Sequence, residues 1–142
     1  MTQEDKKLLL KDLCARLPYG VKIKVRSNDI RTVRAVDMVE GIVHFVESDS
    51  ISPFGVHIEH PSTFRQVVKP YLRSMDNITY NQQKEYNDLL KRMVNTNDAD
   101  ILYTGSTLLT DFFNGEHIDY RGLIEKGLAI EVTKENNPYN NK

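Results

Sequence analysis

The only cluster that resembles a set of metal ligands is His57, Glu59 and His60, in the stretch His-Ile-Glu-His. Imidazole nitrogens and carboxylate oxygens bind zinc in catalytic sites, where the ion activates a water molecule. The spacing matches neither H-E-x-x-H nor H-x-x-E-H. On a strand, His57 and Glu59 share one face and His60 points the other way, unless Pro61 supplies a bend. The pattern therefore favours an exposed strand end. These three residues are the only metal candidates, and no cofactor is predicted.

A second cluster of ionisable residues, Glu116, His117 and Asp119, has the residue types of an acid–base group. A general acid or base must stand within hydrogen-bond reach of its proton, and closeness in sequence does not establish that geometry. Gly122–Gly127 has the glycine spacing of a phosphate loop but lacks the Lys and Ser or Thr that should follow. The sequence therefore predicts no catalytic residue.

Alternating cations give the best functional signal in the sequence. Lys22, Lys24 and Arg26 recur at every second residue, so they share one face of a predicted strand. Arg31 and Arg34 lie on the next strand, three residues apart, so at most one joins that face unless a bulge intervenes. Three or four aligned cations can neutralise phosphates in a weak, salt-dependent contact. The candidate nucleic-acid-binding residues are therefore Lys22, Lys24, Arg26 and Arg34, although no aromatic residues are interleaved to stack on bases.

Charge is unevenly distributed, although the formal net charge is only −1. Residues 1–36 hold nine Lys or Arg against four Asp or Glu, whereas residues 37–60 hold five acids and no Lys or Arg. The basic block suits an anionic partner such as DNA or RNA. The alternative, which the sequence favours, is a solvated face whose cations are partly paired with Asp37, Glu47 and Glu59 on neighbouring strands.

Tyr71, Leu72 and Arg73 form a candidate partner surface. A short helix is predicted over residues 63–72, and Pro70 interrupts it because proline cannot continue a regular helix. Some apolar side chains would then stay exposed and suit a protein partner. A buried connector between the two halves of the chain is the favoured alternative.

The first half must position these residues on a helix and four strands. Apolar residues recur from Leu10 to Leu17 at i, i+3, i+4 and i+7, which predicts a helix over residues 3–16 with Asp12 on its solvent side. Thr2 and Asp5 resemble a capping box at its start. Short alternating stretches then predict an antiparallel meander, as a small curled sheet or partial barrel, with strands over residues 21–26, 30–38, 42–47 and 56–59.

The second half is predicted to be mostly helical. Beyond the helix over 63–72, helices are expected over residues 79–94, 107–114 and 119–127, with strands over 101–103 and 128–132. Thr79 and Gln82 form another possible capping box. The fold class is therefore α+β, a single domain over residues 1–135 that joins a helix-plus-meander half (1–60) to a helical half (61–135). Residues 136–142 are expected to be a disordered tail, because they offer little apolar surface to bury.

The composition is that of an ordinary globular domain: 142 residues, of which 39% are hydrophobic and 27% charged. The charged N-terminus is followed by only three leucines, fewer than a signal peptide or a membrane span requires. Cys14 is the only cysteine, so no intrachain disulfide can form. A cytoplasmic protein with no membrane partner is expected.

Three stretches together resemble a known family: Leu8–Val21 (LLLKDLCARLPYGV), Val68–Met75 (VKPYLRSM) and Asp119–Glu131 (DYRGLIEKGLAIE). They resemble a recurrent family of short hypothetical proteins from gut anaerobic bacteria and their phages or other mobile elements. That family has no assigned activity, so it contributes no catalytic residues. The resemblance implies a bacterial cytoplasmic protein from a phage or mobile-element gene.

A non-enzymatic accessory or interaction protein is the favoured function class, because no recognisable catalytic or cofactor motif is present. Its partner would be an unidentified protein or a second copy of the chain. Nucleic-acid binding through the basic strands is the alternative. A metal-dependent enzyme that uses His57, Glu59, His60 and His117 is the third hypothesis.

Overall fold

The computed structural model describes residues 1–25, 29–45, 54–60, 65–95 and 97–139 of the chain. These residues form an α+β fold with an N-terminal helix, an open mixed sheet of six strands and two later helices. The helices run over Gln3–Arg16 (α1), Tyr80–Val94 (α2) and Ala99–Gly115 (α3). The strands run over Lys22–Val25 (β1), Asp29–Asp37 (β2), Ile42–Phe45 (β3), Phe54–His57 (β4), Val68–Leu72 (β5) and Ile130–Glu131 (β6).

Both predicted capping boxes are present, one at the start of α1 and one at the start of α2. The Thr2 hydroxyl accepts a hydrogen bond from the Asp5 amide, and the Asp5 carboxylate accepts one from the Thr2 amide. Thr79 and Gln82 repeat this exchange. Each box satisfies amides that a helix start otherwise leaves unpaired, so both helices begin where the sequence predicts. No helix in the described part of the chain is long and apolar enough to cross a membrane.

Strands β1 to β4 form the predicted antiparallel meander, in which each strand pairs with the next. Strand β5 adds to the other edge of β1 in the antiparallel sense, and β6 pairs with β5 in parallel. The order is β4-β3-β2-β1-β5-β6, so β1 lies inside the sheet. The sequence predicts four strands in a curled sheet or partial barrel, whereas the structure has six strands in an open sheet.

Alternation along β1 separates the core from the opposite face of the sheet. Ile23 and Val25 are buried and pack in one cluster with Leu13 of α1. Lys22 and Lys24 alternate with Ile23 and Val25 along the strand and therefore point to the other face. Helix α1 thus covers one face of the sheet, and the two lysines occupy the other.

Residues 68–72 are strand β5, so the predicted helix over 63–72 is wrong there; residues 63 and 64 lie outside the described residues. Val68 and Leu72 are fully buried, and Pro70 pairs opposite Ile23. Proline has no N–H to donate, but Pro70 lies just before the two residues of β5 that pair with β6. The missing N–H of Pro70 therefore breaks no hydrogen bond between β5 and β6. The burial of Val68 and Leu72 then favours a strand over a helix for this segment.

Helix α3 begins at Ala99, so the strand predicted over 101–103 is wrong and the helix predicted from Thr107 starts earlier. Gly105 is buried within α3, where an added Cβ would lie 2.6 Å from Met93 Cγ on α2. The close packing of the two helices compensates for the low helix propensity of a central glycine. Tertiary contact, which no local pattern reports, therefore extends the helix.

The segment 119–127 forms turns rather than the predicted short helix. Asp119 caps it as expected, because its carboxylate accepts hydrogen bonds from the amides of Leu123 and Ile124. Gly122 and Gly127 have φ of 74° and 73°, a left-handed conformation that interrupts a right-handed helix. The closing strand that follows keeps only the two residues of β6.

Residues 136–139 are held against the sheet, in contrast to the disordered tail that their composition predicts. The Tyr139 hydroxyl donates a hydrogen bond to the Tyr71 carbonyl at 2.7 Å and accepts one from the Lys22 amide at 3.0 Å. Its ring stacks on His117 with centroids 4.0 Å apart. One aromatic side chain with three specific contacts thus orders a segment of low hydropathy, while residues 140–142 lie outside the described part.

Candidate functional site

Four cations follow β1 and β5 on the face of the sheet that α1 leaves open. Lys24 and Lys69 are direct cross-strand partners. Lys22 lies two residues before Lys24, and Arg73 lies four residues after Lys69, so strand alternation places all four on one face. We call Lys22, Lys24, Lys69 and Arg73 the basic strip.

The pair at one end of the basic strip is electrostatically unfavourable. Lys24 and Lys69 are half-buried, and like charges directly opposite each other destabilise a sheet. Among the described residues, no acid lies within ion-pair distance of either lysine. Within the described part of the chain, this end of the strip therefore carries positive charge without a counter-charge.

The two described acids that were predicted to pair with these cations, Asp37 and Glu59, form no ion pair with them. The Asp37 carboxylate accepts hydrogen bonds from the amides of Val39 and Glu40, within its own turn. Glu59 forms a backbone bridge with Gln66 and has no ion pair with a described residue. Glu47 lies outside the described residues.

The predicted arginines are only partly connected to the basic strip. Arg34 is exposed at the β2–β3 bulge, two residues beyond Thr32, which is the cross-strand partner of Lys22. Arg31 pairs opposite Ile23 and lies on the α1 side, with Asp29 at 3.9 Å. Arg26 lies outside the part of the chain that the structure describes. Arg34 is therefore the arginine that can extend the strip.

A second group of charges is fully paired and buried. The Asp12 carboxylate accepts one hydrogen bond from Arg16 and one from Arg121, both at 2.9 Å. Arg16 also donates to the Ile118 carbonyl at 2.7 Å, and Arg121 lies 4.4 Å over the Tyr120 ring. Asp12 and Arg16 are both 0% exposed, so the prediction that Asp12 faces solvent is wrong. This network fastens the segment after α3 to α1.

A cavity of about 370 Å³ opens where the basic strip meets the C-terminal segment. Lys22 and Arg73 of the strip line it together with His117 and Tyr139. His117 has a φ of 57°, which is uncommon for a residue other than glycine, asparagine or aspartate. This backbone turn brings the imidazole against the sheet, on the ring of Tyr139.

The surroundings of His117 disfavour a positive charge on its ring. Burial is the main cause, and the nearby cations Arg16, Arg73 and Lys22 add to it, so the pKa of His117 falls to about 4. The imidazole is therefore neutral at pH 7. His117 Nδ1 and Arg73 Nε are buried and have no hydrogen-bond partner among the residues that the structure describes.

The cluster of Glu116, His117 and Asp119 does not assemble as an acid–base group. The Glu116 carboxylate accepts a hydrogen bond from Gln82, and both Asp119 oxygens accept backbone amides. His117 Nδ1 has neither carboxylate as a partner. Glu116, His117 and Asp119 are neighbours in sequence, but each makes separate contacts.

The metal candidates and the candidate partner surface from the sequence do not form sites either. Within the described residues, no group of three His, Cys, Asp or Glu side chains could hold a metal ion, so His57, Glu59 and His60 do not converge. Tyr71 and Leu72 are buried in β5, with 7% and 0% of their surface exposed, so they offer no partner surface. Arg73 of that segment lines the cavity instead.

Sequence reasoning missed Lys69 and Tyr139, and it assigned Arg73 to a protein-partner surface rather than to the basic strip. The stretch Val-Lys-Pro-Tyr-Leu-Arg carries a period-two signal, in which Lys69 and Arg73 are in phase, but the helix prediction over 63–72 concealed it. No local pattern identifies Tyr139, because its partners are distant in sequence.

No protein-family model, no curated protein and no solved structure matches this chain. The resemblance to short hypothetical proteins therefore stays a prediction. The basic strip and the cavity at its end are therefore the features of the described residues that bear on function.

Proposed function

We propose that this chain is a non-enzymatic interaction protein that binds nucleic acid through the basic strip. The carrying observation is the Lys24–Lys69 pair, two like charges directly opposite each other with no acid at ion-pair distance among the described residues. Such a pair opposes folding unless an anion binds over it. A phosphate backbone supplies that anion.

The surroundings of the pair suit contact with a polyanion. Ile30 is the cross-strand partner of Lys24 and is 43% exposed, so an apolar surface adjoins the charges. Exposed Arg34 can add a fifth cation on the neighbouring strand. Tyr71 lies between Lys69 and Arg73 on this face but is buried, so we expect binding that depends on phosphates more than on base identity.

The test is binding of the purified chain to random-sequence DNA and RNA across a salt series. Four phosphate contacts predict an affinity that falls about a hundredfold between about 50 and about 200 mM salt. The double variant Lys24→Glu/Lys69→Glu removes two contacts, so the same salt increase should then cost only about tenfold, from a weaker starting affinity.

The matched control is Lys7→Glu/Lys11→Glu. Both lysines are exposed on α1, which covers the opposite face of the sheet, and the change in net charge is the same. Loss of affinity in the strip variant alone supports the proposal. Equal losses of affinity in both variants would mean that only net charge matters, which contradicts a binding surface at the strip. No binding at low salt would also refute the proposal and would direct the search to protein partners.

A further inference from the structure

We propose that the cavity between Arg73, Lys22 and His117 binds a terminal phosphate group, that is, a phosphate monoester. This site shares Lys22 and Arg73 with the basic strip but does not include Lys24 or Lys69, and free inorganic phosphate is small enough to occupy it. The inference therefore does not depend on nucleic-acid binding by Lys24 and Lys69.

The Arg73 backbone is held in place, whereas its side chain has a donor without an acceptor among the described residues. Its amide donates to the His117 carbonyl at 2.7 Å, and its carbonyl accepts from the Asp119 amide at 2.9 Å. These bonds fix the backbone at the wall of the cavity, while Nε is buried without an acceptor. A buried N–H without an acceptor is unfavourable, and a phosphate oxygen is a strong acceptor for guanidinium donors.

His117 supplies a second buried nitrogen without a partner. Its Nδ1 has no hydrogen-bond partner, and the residue keeps its unusual positive φ and its stack on Tyr139. A neutral imidazole can donate or accept through Nδ1, so it can bind either a phosphate oxygen or its proton. Both unpartnered atoms therefore belong to residues that line one cavity.

The charges around the cavity select a dianion. Lys22 and Arg73 line it, and Lys22 uses one of its donors on Thr32 and keeps the others. Glu116 is the acid in the lining, and its carboxylate accepts a hydrogen bond from Gln82. The two cations outnumber the single acid, so the lining attracts anions, and a phosphate monoester, which carries close to two negative charges at pH 7, is attracted more strongly than a carboxylate, which carries one.

The space is adequate for a phosphate with its attached group. The volume of about 370 Å³ is within the range of small-molecule sites. A second cavity of about 430 Å³ also has Arg73 in its wall, together with Thr79, Thr133 and Lys134. A ligand whose phosphate lies at Arg73 can therefore extend to either side.

The first experiment titrates inorganic phosphate into the full chain and records the imidazole NMR signals of His117. We expect a saturable shift, together with a rise in the pKa of His117, because a bound dianion offsets the cations Arg16, Arg73 and Lys22 that face the ring. Arg73→Gln should weaken binding about tenfold to a hundredfold, the effect of one charge-assisted hydrogen bond. Arg73→Lys should bind with intermediate affinity, which separates loss of charge from loss of fold.

Arg65→Gln is the matched control, because Arg65 is exposed and lines neither cavity. Lys24→Gln/Lys69→Gln should also keep the phosphate affinity, even where it abolishes binding of nucleic acid. No shift of the His117 signals in the unmodified chain at millimolar phosphate would overturn the inference. Equal weakening by Arg65→Gln and Arg73→Gln would also overturn it.

A second set of ligands identifies the source of the phosphate. If the site takes the end of a nucleic-acid strand, a 5′-phosphorylated oligonucleotide should bind at least about tenfold more tightly than its 5′-hydroxyl form, and Arg73→Gln should abolish the difference. If it takes a free nucleotide, a nucleoside monophosphate should shift the His117 signals while the two oligonucleotides bind alike. Either result supports a monoester site, and failure of all these ligands refutes it.

Discussion

Arg16 and Arg121 meet the carboxylate of Asp12 at 2.9 Å each, whereas Lys24 and Lys69 face each other with no acid partner among the described residues. The first group is buried between α1 and the segment after α3, where every charge needs a counter-charge. The second group lies on the open face of the sheet, where water tolerates an unpaired cation. The paired charges therefore serve the fold, and the unpaired ones are available to a ligand.

The two ends of the basic strip also differ from each other, in how far they are enclosed. At the Lys24–Lys69 end the lysines are half-buried on the open face of the sheet, while at the Arg73 end the segment with Tyr139 lies against the strands and forms one wall of a cavity. The same residue types thus offer a strand surface at one end and a partly enclosed site at the other. Enclosure makes each hydrogen bond to an anion stronger, because less water competes.

The largest expected effect is a loss of stability when the network of Asp12, Arg16 and Arg121 is broken. Arg16→Met should lower the free energy of unfolding by about 3–5 kcal/mol, because it leaves the Ile118 carbonyl and part of the Asp12 carboxylate unsatisfied in the interior. Urea unfolding measures this change, and Lys11→Met at an exposed position of the same helix is the control. A loss below about 1 kcal/mol would mean that the network does not stabilise the fold.

An intermediate effect is expected from His117 through pH. Its pKa of about 4 in the folded chain lies below the 6.5 of a free imidazole, so the unfolded chain binds more protons between these values. The contribution is complete above about pH 6.5 and is lost as the pH falls towards 4, a change of about 3 kcal/mol.

The comparison variant is His117→Asn, because asparagine accepts a positive φ and does not titrate. Unfolding free energies at pH 7 and pH 4 should differ by about 3 kcal/mol less in this variant than in the unmodified chain. His57→Asn, at an exposed position of β4, should keep the original pH dependence. Identical pH dependence in all three chains would contradict the assignment.

The smallest effect should have the opposite sign. Lys69→Gln should raise the free energy of unfolding by about 0.2–1 kcal/mol, because it relieves the repulsion with Lys24. Lys7→Gln on α1 has no such partner and should change stability little. If Lys69→Gln destabilises the chain instead, the lysine is structural and the contrast with the Asp12 network fails.

Local signals predicted the parts of the site that follow one strand. The alternation from Val21 to Val25 places Lys22 and Lys24 on one face, and the structure has them there. Lys69 and Arg73 were not predicted as members of the strip, because residues 63–72 were predicted to be a short helix that Pro70 interrupts. Only the pairing of β5 with β1, more than forty residues apart in sequence, brings the two sets of cations together.

The sequence by itself determined α1 and α2 with their capping boxes, the four-strand meander and the α+β class. These features depend on periodicity and on hydrogen bonds between residues three apart, which are local. The tertiary structure alone decided that Asp12 is buried, that residues 68–72 form a strand, and that Tyr139 closes a cavity over His117. Each of these outcomes depends on contacts between distant segments, whose free energy exceeds the local preference. Residues 68–73 do carry a period-two signal, but their spacing does not say which strand they pair with.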